Sequence, residues 1–205
     1  QNNLCGGSLC LSVKAKRGSF LYLPYGPILP LNSPSLCSAF FDTVFNYAKK
    51  EGLCAVRISP FVERKWESYF ASLGFYKSPL HILAERSVII DLAKTEEELL
   101  QDMNKNHRNL IRRCQREGVR VIKTSNKTDL NDLNSLLTKT SERHKFHRFS
   151  DSYIEKEFDT FLHKDGAYIY KAFLPDGRLD SAAVILRFGN MGVYRHSGSL
   201  GLDPR

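Results

Sequence analysis

The sequence lacks the features that mark several common classes of protein. Its five cysteines, Cys5, Cys10, Cys37, Cys54 and Cys114, form no CxxC pair and are odd in number. Such a scattered set excludes a disulfide framework and predicts reduced, mostly buried thiols in a cytoplasmic chain. His144 and His147 have no cysteine or third ligand at suitable spacing, and Lys145 and Arg148 beside them would repel a cation, so no metal is expected. No apolar run reaches bilayer length, and Pro24, Pro27 and Pro30 interrupt the most hydrophobic stretch, which excludes a stable membrane span. A secretory leader pattern and low-complexity tracts are both missing, which argues against export and disorder.

What is present is positive charge. The 205 residues carry a formal net charge of +8, which favours polyanionic partners. The excess concentrates in MNKNHRNLIRRCQREGVRV (residues 103–121), where Lys105, Arg108, Arg112, Arg113, Arg116 and Arg120 face a single acid, Glu117. Thr95 followed by Glu98 reads as a capping box, and Glu96 to Glu98 place negative charge in a first turn. Leu99, Leu100, Met103, Leu110, Ile111 and Cys114 recur at helical spacing, so one long helix with a buried stripe is predicted, ended by Gly118. Cys114 is expected in the core. Lys105, Arg108, Arg112 and Arg116 lie on the other side, where guanidinium forks suit phosphates and a solvated basic face is the plainer alternative.

The remaining elements follow in two rounds. Strands are predicted over residues 4–13 and 20–23, then a proline-rich connector, and a helix capped by Ser33 with Pro34 at its first position, ending before Gly52. A short buried strand over 53–58, a helix over about 62–73 stopped by Gly74, and a strand over 88–91 complete the first round. The second has a strand at 119–123, helices marked by Leu130, Leu133, Leu136 and Leu137 and by a Ser150 cap, and strands over 167–174 and 179–188 joined by a Pro175-Asp176-Gly177 turn. A last strand covers 193–196. The expected class is α+β in two halves, residues 1–90 and 91–205. The start at Gln1 without methionine and the end at Arg205 after a strand lead us to expect a fragment, incomplete at the first half's N-terminus and the second half's C-terminus.

Four strings in this order resemble the Fem family of peptidoglycan-bridge aminoacyltransferases: YLPYGPILP (22–30), SVIIDLAKTEEELLQDM (87–103), NKNHRNLIRRCQREGVRV (104–121) and DGRLDSAAVILRFGNMGVYRHSGS (176–199). The resemblance implies two halves related to the acetyltransferase-type (GNAT) fold, with mixed, largely antiparallel sheets and flanking helices. It also implies transfer of an amino acid from aminoacyl-tRNA, the donor substrate, to an amine of a peptidoglycan precursor, either UDP-muramyl-pentapeptide or a lipid-linked form, without a cofactor. The helical hairpin that some members insert for tRNA has no counterpart here.

Aminoacyl transfer from an ester needs alignment and oxyanion stabilisation more than covalent help. His196, beside a Ser-Gly-Ser turn, and Asp91, before the basic helix, read as structural more readily than catalytic, and no catalyst is assigned. For substrate binding the resemblance points to Arg108 and Arg112, toward tRNA or precursor phosphate, and to Arg205, where relatives carry a basic residue on the precursor's diphosphate. Tyr25 and Gly26 read either as a wall of the acceptor cleft or as a tight turn. Tyr194 and Arg195 end the last strand, with Tyr194 stacking on the peptide or half-buried in the sheet.

Two other functions compete. QREGVR (115–120) partly imitates the acetyl-CoA pyrophosphate loop, but Arg120 occupies the position of its second small residue and Gly118 ends a helix instead of starting one, which disfavours an acyl-CoA N-acyltransferase. A noncatalytic RNA-binding module is opposed by the lack of an evident exposed aromatic cluster.

Overall fold

A computed structural model describes residues 3–16, 18–80, 82–84 and 87–201. The chain divides into two compact units, Gln1–Ile90 and Asp91–Arg205.

In the first unit β1 (Leu11–Ala15) and β2 (Gly18–Tyr25) form an antiparallel hairpin, and β3 (Ala55–Pro60) lies parallel to β2. A parallel neighbour needs a crossover, which α1 (Pro34–Lys50) supplies. Pro34 occupies the first turn of α1, where its missing N–H costs nothing, and Gly52 leaves the helix at φ +64°. Cys37, Phe41, Val44 and Ala48 form the buried stripe of α1: Val44 and Ala48 pack with Leu21 and Leu23 of β2, while Phe41 meets Phe70 and Phe75. Phe70 belongs to α2 (Glu67–Ser72), which a 3₁₀ turn at Arg64–Trp66 precedes.

Several expectations are corrected here. The first strand begins at Leu11, and the segment before it is joined to the fold by a Gly7–Ile28 bridge. β3 is only half-buried, because one helix covers its sheet. Residues 88–91 form no strand, and Val88 is 90% exposed. Their β-branched composition suits a pleated surface, but propensity needs a neighbouring strand to satisfy the backbone. Of the five cysteines only Cys37 is buried.

The second unit opens with α3 (Glu96–Asp102) and α4 (Lys105–Arg116), two helices where one was predicted. The Thr95–Glu98 capping box forms in full. The break falls at Met103, whose ψ of 150° is extended, and the Asn104 side chain caps α4 by accepting from Asn106 N at 2.9 Å. Asparagine competes well for this position because its short amide replaces a helical turn. The orphaned carbonyls of α3 are then taken up by Arg108, whose Nη1 donates to Leu100 O, Gln101 O and Met103 O at 3.1, 2.7 and 2.9 Å. The apolar stripe is not buried: Leu110 and Cys114 are exposed and no residue of α4 is buried. Gly118 ends α4 at φ +80°.

Beyond it β4 (Arg120–Thr124), β5 (Ala167–Phe173), β6 (Leu179–Phe188) and β7 (Met191–Ser199) form an antiparallel meander in that order. α5 (Leu130–His144) and α6 (Asp151–Leu162) cover one face. Leu130, Leu133, Leu136 and Leu137 of α5 meet Ile154 and Phe158 of α6 over alternate strand residues Ile169, Ala182, Val184 and Leu186. Ser150 caps α6 through Tyr153 N, and the β5–β6 turn closes with Leu174 N donating to Arg178 O at 2.8 Å and Gly177 at φ +84°. The α+β class with mixed and antiparallel sheets is thus the architecture adopted.

One cation sits on the core face. Lys171 of β5 is 7% exposed and donates to Asp129 Oδ1 at 2.5 Å and Asp132 Oδ2 at 2.8 Å. Burial opposes its charge more than any other single influence, yet the two carboxylates together outweigh it and its pKa is raised. The Lys171 ammonium holds Asp129 below the usual carboxylate range, against burial and with help from the Thr124 hydroxyl. The stabilisation through Lys171 is complete below about pH 10.4 and lost as pH rises through its raised pKa; that through Asp129 is complete above about pH 3.9 and lost as pH falls through its depressed one. Lys171→Met is therefore expected to lower stability by roughly 2–4 kcal/mol at neutral pH, since it strands two carboxylates, one of them mostly buried. In urea titrations its deficit against the parent protein should shrink on acidification; equal stability at pH 7 would contradict the role given to this cluster.

Arg108 yields a second prediction. Arg108→Met should speed amide hydrogen exchange in the last turn of α3 by about tenfold, as expected for losing charged hydrogen bonds worth about 1.5 kcal/mol. Arg112→Met should leave that exchange unchanged, and similar acceleration by both would show that the carbonyl contacts are immaterial.

Candidate functional site

The residues proposed from sequence separate once placed. Tyr25 ends β2 at φ +51° with its ring exposed. A Cβ on Gly26 would collide with the side chain of Ser8, so the close approach that Gly26 permits is taken by the chain's own N-terminal segment. Arg108 is committed to the carbonyls of α3, whereas Arg112 is exposed and pairs with no carboxylate among the described residues. Arg205 lies outside the described residues. Asp91 accepts from Ala93 N at 3.0 Å within a local turn.

Tyr194, Arg195 and His196 are separated by a register shift in the β6–β7 ladder, where Ile185 pairs with Tyr194 and Val184 with His196. The extra residue, Arg195, sends Tyr194 and His196 to opposite faces of the sheet. On the helix side Glu157 of α6 receives both neighbours, Arg195 Nε at 2.9 Å and His196 Nε2 at 2.6 Å from its two oxygens. Arg195 also reaches Tyr153 Oη at 3.3 Å and lies over the Phe149 ring. Burial works against its charge most, but the Glu157 carboxylate leads the groups that raise its pKa overall. Arg195 and His196 thus belong to a packed polar cluster that ties α6 to β7.

Tyr194 faces the other way, onto a trough of about 330 Å³. Its floor carries Tyr170, Ser181, Ala183 and Ser197, and Thr140, Arg143 and His144 from the end of α5 wall one side. That wall depends on Gly198, whose missing Cβ would stand 2.5 Å from Leu137 N and 2.6 Å from Leu136 C. With glycine there, α5 closes on β7, Ser199 N donates to Thr140 Oγ1 at 2.9 Å, and Arg143 donates to Ser199 O, Leu200 O and Ser199 Oγ at 3.0, 2.9 and 3.1 Å. Thr140, Arg143 and Tyr170 escaped the sequence reading; the available signal was the Ser-Gly-Ser string, since a glycine inside a strand marks close backbone approach.

Hydroxyls, two phenols and a guanidinium held by the Ser199 and Leu200 oxygens and by His144 Nε2 at 3.3 Å make the trough suited to a polar, anion-bearing chain. Among the described residues no group of His, Cys, Asp or Glu is arranged to hold a metal, and no helix is long and apolar enough to cross a membrane.

Comparison with known proteins agrees with this architecture. The fold matches the crystal structure of FemX with a TM-score of 0.80 at 17% identity, over 98% of this chain and 69% of that one. The Lipid II:glycine glycyltransferase of Staphylococcus epidermidis is 28% identical over 156 residues, 71% of this chain and 37% of the relative. The Staphylococcus aureus protein of the same name is 27% identical over the same shares. The chain therefore spans a little over a third of the length of these curated relatives. Residues 81–176, which include the basic helix and the helical layer of the second unit, match the model of the FemAB family. In its matched region and its relatives the chain is thus similar to the Fem family, and its fold is that of FemX.

Proposed function

We propose that this protein is an aminoacyltransferase acting in the cytoplasm, which moves an amino acid from aminoacyl-tRNA to an amine on the stem peptide of a peptidoglycan precursor. The observation that carries this reading is the region shared with relatives named Lipid II:glycine glycyltransferase, which extends over 71% of the chain. The donor ester is already activated, so no cofactor is needed. The precursor amine attacks the ester carbonyl, the new C–N bond forms as the C–O bond breaks, and the tRNA hydroxyl leaves with the amine's proton.

In this scheme the chain's own residues bind and align. The trough on the open face of the second sheet takes the acceptor peptide: Tyr170 and Tyr194 flank it, the hydroxyls of Ser181 and Ser197 meet peptide amides, and Arg143 attracts its negative charge. Arg112, exposed on α4, is left for phosphate. Alignment of this kind supplies much of the rate in reactions with an activated donor.

Incubation with charged tRNA and a muramyl-pentapeptide precursor should add one aminoacyl residue to the precursor, read by mass. Tyr194→Ala should lower that yield about tenfold, the effect of losing roughly 1.4 kcal/mol of aligned binding, and leave the thermal midpoint unchanged because the ring is exposed. A precursor of unchanged mass under these conditions would remove the transferase reading.

A further inference from the structure

The segment from Arg143 to Phe149 reads RHKFHRF, basic residues interleaved with aromatic ones, and the function described above uses only its first residue. It joins α5 to α6, and Lys145 turns the chain out of α5 at φ +54°. The loop is open: His144, Lys145, Phe146, His147 and Phe149 are exposed. Beside it Phe149 stacks on Tyr153 with ring centroids 4.6 Å apart and planes 17° apart. The pair is held from within, since Arg195 lies over Phe149 and bonds Tyr153 Oη, while His196 meets the Phe149 ring edge-on. Even so Phe149 keeps 49% and Tyr153 42% of its surface exposed.

Aromatic rings in small domains are buried because their area is worth burying. Two parallel rings left half in water, braced by a partly buried ion pair and bordered by cations, form a stacking platform. Asp151 takes up one cation of the loop, Arg148, at 2.6 Å, and Glu157 is engaged by Arg195 and His196, while the exposed Lys145 pairs with no carboxylate among the described residues. Unpaired nucleobases are the ligands that combine a planar ring with a phosphate chain, and stacking on aromatics beside basic side chains is the usual physics of single-strand binding. The exposed cluster whose absence argued against RNA in the sequence is therefore present in the fold.

We propose that the α5–α6 loop and the Phe149–Tyr153 pair bind single-stranded RNA, with a base stacked on the rings and Lys145 and its neighbours on phosphate. Under the transferase reading, on which this assignment to the donor rests, the strand is the unpaired acceptor end of the tRNA.

The test compares two uncharged RNA probes, a minihelix with an unpaired 3′ end and a blunt duplex of equal length, by fluorescence anisotropy with the full chain. The protein should prefer the unpaired end, and the double variant Phe149→Leu with Tyr153→Leu should weaken that binding about tenfold while leaving the blunt duplex unaffected. Equal binding of the two probes by the parent protein, or equal weakening of both in the variant, would overturn the platform. So would a preference for anionic phospholipid vesicles over either RNA. Unimpaired preference for the unpaired end together with failed aminoacyl transfer would remove the transferase reading and leave the RNA surface standing.

Discussion

The second unit is organised around the missing side chain of Gly198. A strand residue with any Cβ would meet the backbone of Leu136 and Leu137, so α5 would have to stand off from β7. Close approach brings the leucines of α5 onto Val184 and Ala182 and places Thr140 and Arg143 within bonding distance of Ser199. Those bonds continue the seam past the last regular pair of β7 and raise the wall of the trough. The same residue position therefore governs packing on one face of the sheet and the wall of the trough on the other.

The distribution of charge shows how little a formal excess of +8 says by itself. Lys171 is enclosed by Asp129 and Asp132, Lys127 bridges Glu155 and Asp159, and Arg195 shares Glu157 with His196. Arg113 pairs with Glu117 along α4, and Arg108 serves as a cap for α3. These cations hold elements together. Arg112 on α4 and residues 144–147 of the α5–α6 loop remain outward, where a polyanion has something to meet, whereas Arg148 is held by Asp151.

Local signals were read from the sequence with most success because their physics is local. The Thr95–Glu98 box, the Ser150 cap, Pro34, Gly118 and the Pro-Asp-Gly turn each act within a few residues. The break at Met103 was legible in principle, since Asn104 is a strong cap, but the apolar repeat from Leu99 to Cys114 concealed it. The strand expected at residues 88–91 depends on a neighbour that periodicity does not reveal. Of the candidate site, Tyr194 lies in the trough, while its partners Thr140 and Arg143 come from a helix far away in sequence. The opposite facing of Tyr194 and His196 follows from a register shift that strict alternation conceals.

The central claim is that the open sheet face beside the α5–β7 seam receives the precursor's stem peptide. The most direct measurement is an amide NMR titration of the protein with a muramyl-pentapeptide precursor. The account predicts shift changes concentrated at Thr140, Arg143, Tyr194, Ser197 and Ser199. Saturable changes elsewhere, with those amides unmoved, would contradict it.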